Sequence, residues 1–437
     1  MWWARIVCLS DFGPYVTGSA RTEQIAVFAS VMFILVTGWP RMTRAPLGPA
    51  PFLVGWSGLV AVMLISTVLR PFDPGFYGSQ PVSHALSAMA LPLALMVITW
   101  YWTLTADPVS LIRAVAPVAV AAMFVNAVIE IAQVSGGKAA VFSFLPRFWD
   151  AAPSAGSVAA NAASDGRYTG IFNQPAEAGI AYGLALLALI WLARQRAWKP
   201  LAVTCAAVLL ATGGVLTLSK VFLLCALPVA VLTVLRGTAR LRVLVTAAAV
   251  GGALWLAEIA GMLPAWSGAA TLGYLTRPGT SLATQYTAGR YGAGGTLAPV
   301  TADVLRAAPL AGFGAGGLDG PAYDSLWQEV LVVSGILGVI LAAAVFVMLA
   351  WRLTALRTVL AREGWQLACG AAVLAAGASA GIPSLTANRA ATLLWLVLGV
   401  LVTARSPGRG LEEGLDGHHP VPALRRLSGD PSVSNSG

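Results

Sequence analysis

Apolar runs of span length recur along the chain, each closed by charges or by Pro/Gly clusters. They fall near 25–39, 50–69, 84–104, 111–134, 178–193, 200–216, 219–235, 241–260, 326–351, 366–382 and 389–404. At about 20 apolar residues per bilayer crossing, this pattern predicts an all-α, polytopic transmembrane protein of about eleven spans. The first and fifth are short. Two long polar interruptions, 135–177 and 261–325, separate groups of spans. The expected organisation is one transmembrane domain over 1–404 and a tail over 405–437. The tail's Pro, Gly, Ser and charge content reads as disorder.

Composition strengthens the membrane reading. The 437 residues are 57% hydrophobic and 10% charged, with a mean hydropathy of +0.76. A soluble domain carries about 25% charged residues. Water offers no place to hide this much apolar surface, and bilayer hydrocarbon does.

Charge then sets the orientation. Arg41 and Arg44, Arg113, Arg194, Arg196 and Lys199, Arg236, Arg240 and Arg242, Arg352, Arg357 and Arg362, and Arg405 with Arg409 all fall on one side. The other side receives the two long loops, with only Lys138, Arg147, Arg167, Arg277, Arg290 and Arg306. The Arg-rich side is expected to be cytoplasmic. Both long loops are then expected to face outward and the tail to lie inside. The net charge of +9 is spent on topology and on contact with anionic membrane lipids, so nucleic-acid binding is not expected.

The N-terminus fits less well. Residues 1–20 include Asp11, Pro14 and Gly18 and read as too broken for a span. No continuous apolar core precedes a small-residue cleavage site, so they do not read as a signal peptide. An odd number of spans puts Arg5 and Arg21 outside; a twelfth helix ahead of them would remove that difficulty.

Familiar soluble chemistry is missing. The chain has no GxxxxGK[ST] phosphate loop and no HExxH, and the missing phosphate loop argues against ATP-driven transport by this chain alone. Cys8, Cys205, Cys225 and Cys369 show no paired spacing, so ordinary packing is the expectation. His84, His418 and His419 form no motif. No acidic triad suggests a divalent ion, so neither a metal nor a cofactor is expected.

The chemistry left over lies on the loop side, in four clusters. The first is Gly166-Arg167-Tyr168-Thr169-Gly170-Ile171-Phe172-Asn173-Gln174-Pro175, with Glu177. Here Arg167 is a fixed cation, Asn173 and Pro175 shape a helix entry, and a plain loop arginine is the bland alternative. The second is Leu216-Thr217-Leu218-Ser219-Lys220. Its lysine interrupts an apolar stretch and needs a cavity or the interface; simple snorkelling is the alternative. Ser219 is a candidate helix cap in either case. The third is Arg290. The fourth is Asp324, just before a helix from Leu326, with Glu329 one turn on. Asp324 stands where an N-cap is expected, so capping competes with catalysis there. Asn126, Glu130, Gln133 and Glu258 lie in or at the ends of spans, and carboxylates in such positions usually face a cavity.

In order, these pieces form a pattern. Arg-x-x-Gly-x-Phe-x-x-Pro is followed by Leu-x-Leu-Ser-Lys, then by a loop arginine and Pro-Leu-x-Gly-x-Gly-x-Gly. Tyr-Asp-Ser-Leu-Trp and Ser-Gly-Ile-Leu-Gly complete it. Over roughly 160–345 the chain resembles the O-antigen ligase/polymerase superfamily. The resemblance implies an integral-membrane glycosyltransferase that takes a glycan from an undecaprenyl-diphosphate-linked donor to an acceptor sugar hydroxyl. It implies a glycan acceptor and other polysaccharide assembly proteins as partners. Arg290 would contact the donor diphosphate. Lys220 stands where the family has arginine, and Asp324 where ligases have histidine.

Lysine lacks the bidentate fork of arginine, and aspartate is ordinarily a weaker base than histidine. Those departures favour a polymerase of surface polysaccharide repeat units over a ligase acting on lipid A-core. Independently, breaking a sugar–diphosphate bond needs cations at the departing oxygens. Arg290, Lys220 and Arg167 are the candidates. The acceptor hydroxyl needs a base, Asp324 first and Glu329 second. Trp327, Glu177 and Asn173 are candidate sugar contacts. Rival classes are a lipid-linked oligosaccharide transporter or flippase, which internal repeat symmetry would favour, and a non-catalytic scaffold.

Orientation can be checked by cysteine labelling. A membrane-impermeant thiol reagent applied from outside should mark a cysteine placed at Gly268 or Ser157 and miss one placed at Gly408. The reverse pattern would invert the topology.

Overall fold

The computed structural model describes residues 2–17, 20–43, 50–69, 82–134, 143–149, 158, 165–236, 282–287, 290–292, 294–295, 297–315 and 325–404. The chain is a helical membrane protein. In order, α1 is Trp2–Ser10, and β1 (Tyr15–Thr17) and β2 (Ala20–Arg21) form a small antiparallel hairpin. Then come α2 (Thr22–Thr37), α3 (Trp39–Thr43), α4 (Ala50–Leu69), α5 (Val82–Thr105) and α6 (Pro108–Val134). α7 (Pro175–Arg194) and α8 (Pro200–Leu216) follow, and a π-turn, Phe222–Ala226, runs into α9 (Leu227–Leu235). The remainder is α10 (Leu282–Thr287), α11 (Leu297–Ala307), α12 (Leu326–Leu356), α13 (Arg362–Ala378) and α14 (Asn388–Thr403).

Every expected span that falls within the described residues is a helix; the one at 241–260 lies outside them. Five helices are long and apolar enough to cross a membrane, at Pro51–Leu69, Leu86–Thr105, Pro108–Val134, Pro175–Arg194 and Leu326–Leu356. Shorter apolar helices cover Thr22–Thr37, Pro200–Leu216, Phe222–Leu235 and Arg389–Thr403. Their starts are written locally. Proline opens α7 and α8, where its missing N–H costs nothing. The Asp107 carboxylate accepts from the amides of Val109 (3.2 Å) and Ser110 (2.9 Å) to cap α6.

α7 is buried along almost its whole length and packs on α6, α8, α13 and α14. Peripheral helices expose apolar side chains instead, such as Phe33, Val36, Val54, Val68, Val347 and Trp351. That inversion suits a lipid surround.

The N-terminal segment is less broken than its sequence suggests. Ala4, Val7 and Cys8 of α1 are buried, and α1 packs against α6 and α2. Arg21 is not an orphan charge either. It pairs with Glu23 at 2.7 Å, both side chains being buried.

The interval read as one polar loop, 261–325, holds two helices, α10 and α11, and a segment inserted against α12. α12 is broken at Gly335 (φ 62°, ψ −158°). Its two parts fold back on each other: Trp327 meets Phe346 with ring centroids 5.6 Å apart. A straight helix would hold these rings roughly 28 Å apart. Gly338, three residues past the bend, leaves room for Val330 and Ser334. The second part alone, about 21 residues or roughly 31 Å, is long enough for a bilayer.

Such a bend orphans backbone groups, and one loop supplies both kinds of partner. Phe313 and Gly314 donate to the carbonyls of Val332 (2.7 Å) and Val333 (3.1 Å). Ile336 and Leu337 donate to those of Pro309 (2.9 Å) and Leu310 (3.1 Å). Ser66 of α4 donates to Gly312 O at 2.7 Å, and Ala315 N to Thr67 Oγ1 at 2.8 Å. Gly312 (φ 68°) and Gly314 (φ 73°) press their α-carbons against this backbone.

At Gly335 an added Cβ would lie 2.4 Å from the Leu310 carbonyl carbon, in a conformation open essentially to glycine alone. Gly335→Ala should therefore destabilise the purified protein by about 3 kcal/mol. Gly294→Ala, where a Cβ meets nothing within 4 Å, should be near neutral. Equal melting temperatures for the two variants would contradict the role given to Gly335.

Candidate functional site

One end of the bundle gathers the candidate chemistry, where α7 and α14 begin and α8 and α13 finish. The loop before α7 folds inward there. Tyr168 N donates to Leu216 O at 3.0 Å, tying the loop to the end of α8. Asn126 of α6 receives the Ile171 amide on Oδ1 (2.9 Å) and donates to Glu130 (2.8 Å) and Tyr182 (3.1 Å). Gly170 (φ 57°) rests against the Asn126 amide, where a Cβ would have no room. Asn126 and Glu130 are buried, and Asn126, braced by Glu130, holds this loop in place.

These ties bring the cations together. Leu216, Thr217 and Leu218 (φ 49°) turn the chain toward Lys220. Ser219 caps the helix beyond, its hydroxyl accepting from Phe222 N at 3.4 Å. From the other side, Tyr286 donates to Gly377 O at 2.7 Å. Tyr291 donates to the Ser325 hydroxyl, and its oxygen lies 3.1 Å from Ala380 O. Two tyrosines thus moor the segment that carries Arg290 to the end of α13. The charges of Arg290 and Arg167 both reach the Lys220 ammonium and repel it. All three cations are half-buried.

Beside them lies a group of hydroxyls and a carboxylate. Ser325 is the N-cap of α12, its hydroxyl accepting from Gln328 N. The cap therefore falls one residue later than Asp324, which lies outside the described residues. Leu326 N donates to Ser379 O at 2.9 Å. Glu329, one turn on, is buried and accepts from Thr386 Oγ1 at 2.5 Å. Trp327 is half-buried and packs on Phe346.

Glu177 and Asn173 belong to a buried charge network. The Arg389 side chain is 0% exposed. It donates to Ile171 O (3.0 Å) and Gly13 O (2.9 Å), and its guanidinium lies 5.6 Å from the Tyr15 ring centre. Glu177 accepts from Arg389 N (3.0 Å) and Asn173 N (3.3 Å). Asn173 donates to Tyr15 OH at 2.9 Å. Burial pushes the Tyr15 hydroxyl up to about 12.

Asp11 is fully buried, with no hydrogen-bond partner on either carboxylate oxygen. Burial first, then the neighbouring Glu23, raises its pKa well above the usual carboxylate range, against the pull of Arg389 and Arg21. Three carboxylates, Asp11, Glu23 and Glu177, face two guanidiniums, Arg21 and Arg389. A proton held on Asp11 makes the network neutral.

Sequence reasoning missed Arg389, Asp11, Tyr291, Ser325 and Thr386. The available signal was Arg389 itself, a cation opening a span on the side otherwise poor in arginine. Read as a span boundary, it drew no further attention.

Arg389→Leu leaves the Ile171 and Gly13 carbonyls without their donor and Glu177 without a neighbouring positive charge, and should cost about 3–5 kcal/mol of stability. Asp11→Asn imitates the protonated acid and should be nearly silent in the same thermal unfolding measurement. An Asp11→Asn loss as large as that of Arg389→Leu would mean that Asp11 is ionised in the fold.

Compared with models of protein families and with curated proteins, the sequence matches none.

Proposed function

We propose that this chain is an integral-membrane glycosyltransferase of the O-antigen ligase/polymerase kind. Its donor is a glycan on undecaprenyl diphosphate and its acceptor a sugar hydroxyl, and the reaction extends a surface polysaccharide. The observation that supports the reading is the convergence of Lys220, Arg290 and Arg167. They come from three separate segments, and their mutual repulsion a diphosphate would relieve. In an interior site such cations are worth far more than in water.

The acceptor oxygen attacks the anomeric carbon as the bond to the diphosphate oxygen breaks. The acceptor proton passes to a carboxylate, and undecaprenyl diphosphate leaves with its new charge against the three cations. Asp324, next to the capping Ser325, is the first candidate base. Glu329 is the second, held by Thr386. Trp327 is a candidate sugar contact. Polymerase is preferred to ligase because aspartate stands in the position where ligases have histidine.

Purified protein given a lipid-linked oligosaccharide tests this. Arg290→Ala should lower transfer about a hundredfold, one such contact being worth roughly 3 kcal/mol. Lys220→Ala should cost less, and Lys220→Arg should keep activity. Near-normal transfer by both alanine variants would remove the donor from this site.

Asp324→Asn separates the base from the cap. It should lower turnover by about a hundredfold with thermal stability unchanged, because Ser325 carries the cap. Full activity in that variant would move the base role to Glu329, for which Glu329→Gln is the corresponding test.

A further inference from the structure

The opposite end of the bundle carries a second concentration of arginine, and its members behave differently from one another. Two are consumed by helix ends. Arg352 donates to the carbonyls of Val402 (2.8 Å) and Ala404 (2.5 Å), closing α14. Arg194 donates to Thr233 O and to Gln366 Oε1, tying α7 to α9 and α13. Three others surround an open cavity of about 590 Å³: Arg236 at the end of α9, Arg357 at the end of α12 and Arg362 at the start of α13. Trp365 and Gln366 complete its described lining.

The chemistry of that lining is one-sided. It offers guanidinium, indole and amide groups and, among the described residues, no carboxylate. Arg357 lies over the Trp365 ring at 5.8 Å, and Arg362 donates to Arg236 O at 3.2 Å, so two of the three guanidiniums are positioned. The charge of the nearby acid, Glu363, reaches Arg194. No described carboxylate forms a salt bridge with Arg236, Arg357 or Arg362. Planar forks of this kind suit phosphate oxygens.

A second feature says what carries the phosphate. The three helices that frame the cavity expose apolar side chains along their flanks: Val231 and Leu232 on α9, Val347 and Trp351 on α12, Val373 on α13. A ligand with a phosphate head and hydrocarbon chains matches both surfaces at once. A free anion matches only the first.

We infer that this cavity is a binding site for the phosphodiester headgroup of an anionic phospholipid. Arg236, Arg357 and Arg362 hold the phosphate, and the acyl chains lie along α9, α12 and α13. The site is separate from the proposed glycan-transfer site, and lipid binding can be read without any transfer assay.

Native mass spectrometry of the full chain in mild detergent, with added phosphatidylglycerol or phosphatidylcholine, tests the inference. Phosphatidylglycerol should be retained in preference to phosphatidylcholine. At about fivefold per surface arginine, Arg362→Gln should weaken retention about fivefold and the triple Arg236→Gln, Arg357→Gln, Arg362→Gln variant about a hundredfold. Arg113→Gln, an exposed cation outside the cavity, should change nothing. Should the triple variant fail to fold, the single Arg362→Gln result decides. Equal retention of the two lipids, unchanged retention in Arg362→Gln, or an equal loss in Arg113→Gln would overturn the site. Complete displacement of the lipid by millimolar inorganic phosphate would overturn the lipid assignment.

Discussion

Every polar group drawn into a bundle surrounded by hydrocarbon must find its partner within the protein. Arg389 shows how far this requirement shapes the fold. Its guanidinium and amide join the start of α14, the loop before α7, and the N-terminal segment at Gly13. These pieces are far apart in sequence. Removing the guanidinium would leave two carbonyls unmet, and Glu177 without a neighbouring positive charge, in an interior where water cannot replace it. The same requirement explains the inward fold of the loop that carries Arg167, which Asn126 secures from below.

Backbone groups obey the rule as strictly as charges do. The bend at Gly335 exposes two carbonyls and two amides inside the bundle, and the segment Pro309–Ala315 meets all four. Glycines 312, 314 and 335 therefore belong to one construction, in which two backbones approach too closely for any side chain. Of the glycine-rich motif, Gly312 faces α12 and Gly314 faces α4. Tyr291, beside Arg290, ties its own segment to Ser325 at the start of α12.

How much of this was legible depends on which force wrote it. Hydropathy wrote the spans, and their bounds read from composition agree closely with α4, α6, α8 and α14. Hydropathy is blind to the bend, because the residues around Gly335 are as apolar in a hairpin as in a straight helix. The cap of α12 was misplaced by one residue, since Asp324 and Ser325 are both good caps and only the backbone distinguishes them. Residues 1–20 read as too broken for a span, and α1 there is nine residues long with a hairpin after it; what the sequence does not announce is that Asp11, Arg21 and Glu23 compensate one another together with Arg389. Motif order groups Arg167, Lys220 and Arg290, and the charges of Arg167 and Arg290 both reach Lys220. The hydrogen bonds that join Glu177 to Asn173 N and Arg389 N are between residues far apart in sequence or masked by a helix start, and no motif announces them.

The claim that matters most is chemical. The three gathered cations are held to accept a diphosphate as a glycan leaves it. The most direct measurement follows a doubly labelled donor, glycan and lipid diphosphate carrying different isotopes, with the protein reconstituted in lipid vesicles. The account predicts that the labels separate: free undecaprenyl diphosphate accumulates in step with glycan joined to acceptor. Both labels staying on one molecule that moves intact across the bilayer would contradict it and make the protein a transporter.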